Sequence, residues 1–235
     1  MPLALRRNDV RQYEELAGEW WRPGGAFAML HWIAAARAAL MPPAARPDAV
    51  LVDLGCGAGL LAPHVRPLGY RHVGVDLVTV SLAQARDHGV VPVRADVHAV
   101  PLADNCADVV SAGEILEHVS DPSTVVNEAC RLLRPGGLLV LDTINATALG
   151  RFVTVTVGER IPGGAPKGIH DPALFVPPDL LVEACASAGV SLAVRGIRPS
   201  AWQMLRWLLT RRGDVRILPT RSTAVLYQGW GVKEG

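Results

Sequence analysis

Ten consecutive residues constrain this chain more than any others. Val50, Leu51, Val52, Asp53 and Leu54 form a mostly apolar run that breaks into Gly55, Cys56, Gly57, Ala58 and Gly59. A short apolar run bounded by turn residues reads as a buried strand. Glycines at its end let the backbone fold sharply into a helix and let a ligand approach where a Cβ would collide. Such a turn alone serves nucleotide sites and purely structural corners alike, so its meaning depends on what surrounds it.

The surroundings alternate. Short β-branched runs predict strands over 50–54, 72–76, 91–94, 108–112 and 138–144, and amphipathic stretches predict helices over 59–68, 80–88 and 122–133. Asp121 before Pro122 is a cap residue followed by proline at the first helical position. Alternation of this kind gives an α/β, doubly wound, Rossmann-like and mostly parallel sheet that binds ligands beyond the carboxyl ends of its strands. The rhythm stops over 145–178, where Gly158, Pro162, Gly163, Gly164, Pro166 and Gly168 mark an insertion of the kind that forms a lid. It resumes with a helix near 179–188, a strand near 191–196, a helix near 201–210 and a strand near 223–229. One domain is expected, made of an N-terminal helical cap (1–48), a core (49–144), the lid (145–178) and the C-terminal part of the sheet (179–235).

Composition narrows the class. Half of the 235 residues are apolar and 19% are charged, which suits a sizeable core and not a disordered chain. A formal net charge of +1 without a run of Lys or Arg gives no footprint for nucleic acid. Cys56, Cys106, Cys130 and Cys185 are too scattered for a zinc pair or a disulfide framework, so reduced thiols in a cytoplasmic protein are expected. Met1 to Val10 carry Arg6 and Arg7 but no apolar stretch, so no signal peptide is expected, and no run approaches the length of a spanning helix. Two helical patterns over 9–41, split at 22–25, hold Trp20, Trp21, Phe27, His31 and Trp32 in a chain that is only 5% aromatic. These rings either cap the core or line a pocket for a flat, greasy substrate.

Two carboxylates sharpen the glycine turn. Asp76 closes the second strand about 20 residues on, the distance at which a carboxylate reaches a ribose, with Leu77 beside it. Asp96 follows the third strand, next to Val97, where it is placed to accept from an adenine amine. The run from Asp53 to Gly59, and the run from Leu132 to Gly137 before the fifth strand, resemble the first motif and the strand-five turn of the class I S-adenosylmethionine methyltransferases. The G-x-G-x-G spacing separates them from NAD dehydrogenases. Three further stretches resemble the ubiquinone-biosynthesis O-methyltransferases: Leu30 to Ile33 with Arg37, Gly113 to Val119, and Pro166 to Asp171. This resemblance implies a seven-stranded sheet with an antiparallel last strand, S-adenosylmethionine as cofactor, and contacts to it from Arg37, Gly55, Asp76 and Gly113. Asp53, Cys56, Gly57, Leu77, Asp96 and Val97 complete the expected cofactor set. Past Gly196 the resemblance fades, and Trp202, Trp207, Arg211 and Arg212 depart from the family pattern.

Methyl transfer from a sulfonium needs alignment and exclusion of water, and a phenolic acceptor must also lose its proton. Glu117, His118 and His170 are the candidate catalytic groups. Glu114, Glu117 and His118 are also hard ligands spaced to suggest Mg²⁺, and the resembled family includes members with such an ion; hydrogen-bonded corner residues are the alternative. Trp21, His31, Phe152 and Trp202 are the substrate-binding candidates. The alternating residues of 149–161 suggest either a strand or a peripheral membrane-facing patch. O-methylation of a phenolic or quinol-like small molecule is the leading expectation, beside N- or C-methylation of another metabolite and a non-catalytic nucleotide-binding module.

Overall fold

The structure is a computed structural model that describes residues 7–161 and 164–235. The N-terminal reading around Arg6, and Pro162 and Gly163 of the insertion, lie outside the described residues.

Helices α1 (Arg11–Glu15) and α2 (Ala28–Ala38) precede a succession of β1 (Val50–Leu54), α3 (Ala62–Val65), β2 (Arg71–Asp76), α4 (Thr79–Asp87), β3 (Val91–Arg94), β4 (Ala107–Gly113), α5 (Pro122–Leu132) and β5 (Leu133–Ile144). After the short α6 (Ala148–Arg151) come α7 (Pro178–Ser187), β6 (Ala193–Pro199), α8 (Ala201–Thr210), β7 (Ile217–Thr220) and β8 (Leu226–Val232). The strands form one sheet in the order β3-β2-β1-β4-β5-β8-β6-β7. β1 to β5 run parallel, and β8 inserts antiparallel between β5 and β6.

The sheet has eight strands where seven were expected, because β7 pairs antiparallel with β6 at the edge. Pro219 hid it, since proline lacks a ladder donor and is tolerated only at such an edge. Of the two readings of 149–161, a strand or a membrane-facing patch, the strand is not formed. Those residues are helical, with α6 followed by a π-helical run over Phe152–Val157 and a 3₁₀ turn over Gly158–Arg160.

The two-residue period of the strands assigns their side chains to opposite faces. Val52, Val110 and Leu139 join Val125, Ala129, Leu181 and Cys185 under α5 and α7, whereas Leu51, Val109 and Val140 join Ala34, Ala38, Leu61 and Val65 under α2 and α3. The helix after β1 therefore packs on one face and the helix after β4 on the other. Between those adjacent strands the winding reverses, and this is where an open α/β sheet leaves a crevice.

Candidate functional site

A cleft of about 790 Å³ opens at that point, a size that holds a nucleoside-sized ligand with room to spare. Its first wall is the glycine turn. Gly55 N and Cys56 N donate to Val75 O, and Asp76 braces the turn by accepting from Gly57 N at 2.9 Å and Val78 N at 2.8 Å. Burial pushes the Asp76 carboxyl up, against the pull of these donors. Gly57 has φ +51°, and a Cβ there would lie 2.8 Å from the Trp20 ring. The turn thus needs glycine both for its left-handed backbone and for the close approach of the indole.

The second wall is the tip of β4. A Cβ on Gly113 would fall 1.5 Å from Arg37 Nη1, so the missing side chain is the space the guanidinium occupies. Arg37 pairs with Asp142 at 2.6 Å in full burial. Burial opposes its charge, but the Asp142, Asp53 and Glu114 carboxylates raise its pKa. Glu114 follows with φ +53°, an uncommon conformation for a residue with a side chain. Burial, and then the Glu117 and Asp142 charges, push its carboxyl well above the usual range, and among the described residues its Oε1 is buried without a partner.

All ten expected cofactor residues, namely Arg37, Asp53, Gly55, Cys56, Gly57, Asp76, Leu77, Asp96, Val97 and Gly113, line this cleft. So do Glu114, His118 and His170. His118 Nδ1 lies 2.7 Å from Asn8 Oδ1, an acceptor, so Nδ1 donates; Nε2 then accepts from the Tyr13 hydroxyl at 3.2 Å. Burial, reinforced by His170, pushes the His118 pKa down to about 3, which keeps the ring neutral. The His170 ring stacks over it at 5.6 Å.

Five expectations need correction. Glu117 does not line the cleft: it is fully buried, its carboxylate 2.7 Å from the Thr143 hydroxyl. Trp21 donates its indole N–H to Ala58 O and stacks on His88, and His31 is turned to Trp20 O at 2.8 Å. Phe152 and Trp202 face solvent, 55% and 73% exposed. Trp202 and Trp207 are five positions apart on α8, which puts them on different sides of the helix, and it is Trp207 that turns inward.

The expected metal ligands do not come together either. Among the described residues no three His, Cys, Asp or Glu side chains are placed to hold a metal ion. The Glu117 carboxylate is turned away from the cleft, and both His118 nitrogens are engaged. The donor set therefore does not fit Mg²⁺.

Lining residues that sequence reasoning missed include Asn8, Tyr13, Ile33, Met204 and Leu208. Met204, Trp207 and Leu208 share the helical i, i+3, i+4 spacing, a signal available in the sequence. Nothing local marks Asn8 or Tyr13, which meet His118 from more than a hundred residues away.

A family model described as "Methyltransferase domain" matches residues 52–141. The chain is 33% identical over 209 residues to a ubiquinone biosynthesis O-methyltransferase of Methylobacterium sp. (strain 4-46), covering 81% of this chain and 84% of that one. It is 32% identical over 222 residues to the protein of that name from Burkholderia pseudomallei (strain 1710b), covering 90% and 94%. Among solved structures, a Thermotoga maritima S-adenosylmethionine-dependent methyltransferase, described as a possible histamine N-methyltransferase, superposes with a TM-score of 0.67 at 19% identity over 96% of this chain and all of its own. A [4+2]-cyclase does so with a TM-score of 0.58 at 18% identity over all of this chain and 98% of its own, so the fold alone does not decide the reaction. Relatives at a third identity over most of both chains do decide the kinship: this chain belongs to the S-adenosylmethionine-dependent methyltransferases, in the family of the ubiquinone biosynthesis O-methyltransferases.

Proposed function

We propose that the protein transfers the methyl group of S-adenosylmethionine to an oxygen of a small phenolic or quinol-like molecule. The cleft suits the donor. Asp53, Asp76, Asp96 and Glu114 bring four carboxyl groups to the cleft that buried Arg37 also lines, and among the described residues Arg37 Nε and Glu114 Oε1 are buried without partners. That set matches a ligand with a sulfonium, an ammonium, ribose hydroxyls and one carboxylate. In this reading Asp76 holds the ribose and Asp96 the adenine amine, with Leu77 and Val97 against the base. Asp53, the glycine turn, Arg37 and Gly113 receive the amino-acid end.

The observation that carries oxygen as the acceptor atom is His118. Its tautomer is fixed by Asn8, its ring is neutral, and the nitrogen that accepts belongs to a residue on the cleft wall. When the acceptor oxygen bonds to the methyl carbon and the carbon–sulfur bond breaks, the hydroxyl proton needs a destination, and His118 Nε2 takes it in place of the Tyr13 contact. Burial keeps the ring neutral, so this nitrogen carries no proton before transfer. The apolar wall of Ile33, Ile144, Met204 and Trp207 seats the remainder of the acceptor.

The test is turnover on a panel of catechols, aromatic amines and enolisable carbon acids, with the methylated atom located by NMR. Catechol oxygen is expected to be methylated, and His118→Ala to lower kcat about 100-fold with S-adenosylhomocysteine affinity kept. Methylation of amines alone, or an unchanged kcat in His118→Ala, would overturn the reading.

A further inference from the structure

We infer that Asp142 is a positioning residue for the methyl donor: by tying one nitrogen of Arg37 it fixes the guanidinium in the orientation that receives the donor's carboxylate. Arg37 comes from the last turn of α2, and Asp142 stands on β5 in register with Gly113 at the tip of β4. The register thus sets a carboxylate beside a position that has no side chain, and the guanidinium lies in that gap, its Nη1 2.6 Å from Asp142 Oδ1. Asp142 is itself braced. Gln228 of β8 is registered opposite it and Arg195 of β6 opposite Gln228, and residues paired in this way share one face of the sheet. Arg195 Nη2 donates to Gln228 Oε1 at 3.3 Å, which leaves the amide nitrogen of Gln228 for Asp142. Burial pushes the Asp142 carboxyl up, and Arg37 and then Gln228 draw it back towards its charged form.

Packing gives no reason for this arrangement. Asp142 and Gln228 are fully buried and Arg37 nearly so, and the hydration that two charges lose on burial offsets most of their attraction, so apolar residues of the same size would serve the fold as well. Orientation gives a reason. Asp142, Asp53 and Glu114 all favour the Arg37 charge, but among the described residues it is Asp142 that hydrogen-bonds the guanidinium. With Nη1 engaged, the edge formed by Nε and Nη2 remains, and such an edge suits a carboxylate, which it meets through two parallel hydrogen bonds. Nε is buried without a partner among the described residues, and Arg37 lines the cleft. A lysine could not be held this way, because a point charge has no edge to orient. On the function proposed above, on which this inference rests, the carboxylate is that of the methyl donor.

Calorimetry of the full-length protein with S-adenosylhomocysteine and with its decarboxylated analogue tests the inference without turnover. Wild type should favour the ligand that carries the carboxylate. Asp142→Asn, which keeps the shape and removes the charge, should bind S-adenosylhomocysteine roughly tenfold or more weakly and bind the analogue as wild type does. A residue that only supported the fold would weaken both ligands alike. Gln228→Leu leaves the Arg37 contact in place and should show the same selective loss to a smaller degree; it decides the matter if Asp142→Asn fails to fold. An equal loss for the two ligands in these variants, or no loss for either, overturns the inference and leaves the donor reading standing. Wild type that binds the two ligands equally would remove the carboxylate from Arg37 and this inference with it, whereas wild type that binds neither would overturn the donor itself.

Discussion

Glu117 is a fully buried carboxyl, and among the described residues the side chain that hydrogen-bonds it is Thr143, whose hydroxyl lies at 2.7 Å. Burial pushes its pKa from the ordinary 4.5 to about 7. Between those values the folded chain keeps a proton that the unfolded chain has released, so this contribution to stability is full below pH 4.5 and is lost as pH rises through 7. Glu117→Gln, nearly the same shape and never charged, should therefore gain on wild type with pH, by up to about 3 kcal/mol more at pH 8 than at pH 5. Urea unfolding at the two pH values measures it, and a pH-independent difference would mean that the carboxyl ionises alike in both states. The same geometry explains why the Glu114, Glu117, His118 spacing misled. Leu116–His118 form a 3₁₀ turn, in which successive side chains point about 120° apart, so His118 reaches the cleft while Glu117 is driven into the core. The glycine turn, Asp76 and Asp96 were legible because each is fixed by its own strand end. The Asn8 and Tyr13 partners of His118 were not, because only the tertiary fold brings them there.

Among elements, the insertion over 145–178 is held through Glu159. It accepts from Gly168 N at 2.9 Å and from Arg7 at 3.1 Å, and the His170 ring nitrogen lies 3.6 Å away. Burial alone would raise its pKa, yet the nearby His170 ring and the Gly168 and Arg7 hydrogen bonds hold it down at about 2. Glu159→Ala should release 164–170 from the N-terminal segment, raise the acceptor KM roughly tenfold with cofactor affinity kept, and speed limited proteolysis within the lid. An unchanged KM together with unchanged cleavage would show that the lid is held elsewhere. The position of this insertion was legible from its glycines and prolines, but its conformation was not. Phe152 to Val157 alternate as a strand does, yet Thr147 caps the helix at Gly150 N, Thr154 donates back to Gly150 O, and Arg160 donates to the Val155 and Thr156 carbonyls. With no neighbouring strand to pair with, those local bonds outweigh β-propensity. β1, β2 and β4 were legible to within a residue at each end because burial on both faces leaves a continuous apolar run, whereas β5 starts at Leu133, five residues before its expected 138, its early part running through Arg134, Pro135 and two glycines that read as a turn.

At the scale of the whole molecule, the cleft is closed by parts far apart in sequence: Asn8 and Tyr13 from the start, Arg37 from α2, both strand tips of the core, the lid, and Met204 and Trp207 from α8. A ligand that touches all of these binds only the folded chain, so it must shift the unfolding equilibrium of the whole. At a concentration of about 100 times Kd this linkage is worth about 2.7 kcal/mol, which for a chain of this length corresponds to a rise in Tm of roughly 5–10 °C. S-adenosylhomocysteine should produce that rise and NADH none. Asp76→Asn should abolish it at the same ligand concentration, because the amide can accept only through one atom and would face either Gly57 N or Val78 N with a second donor. The glycine turn and the start of α4 then lose a shared brace and, on the proposed function, the ribose hydroxyls lose their acceptor. Differential scanning calorimetry of both proteins, with and without ligand, decides the matter. An equal rise in wild type and variant would place the nucleoside away from the carboxyl end of β2, and with it the methyl donor away from His118.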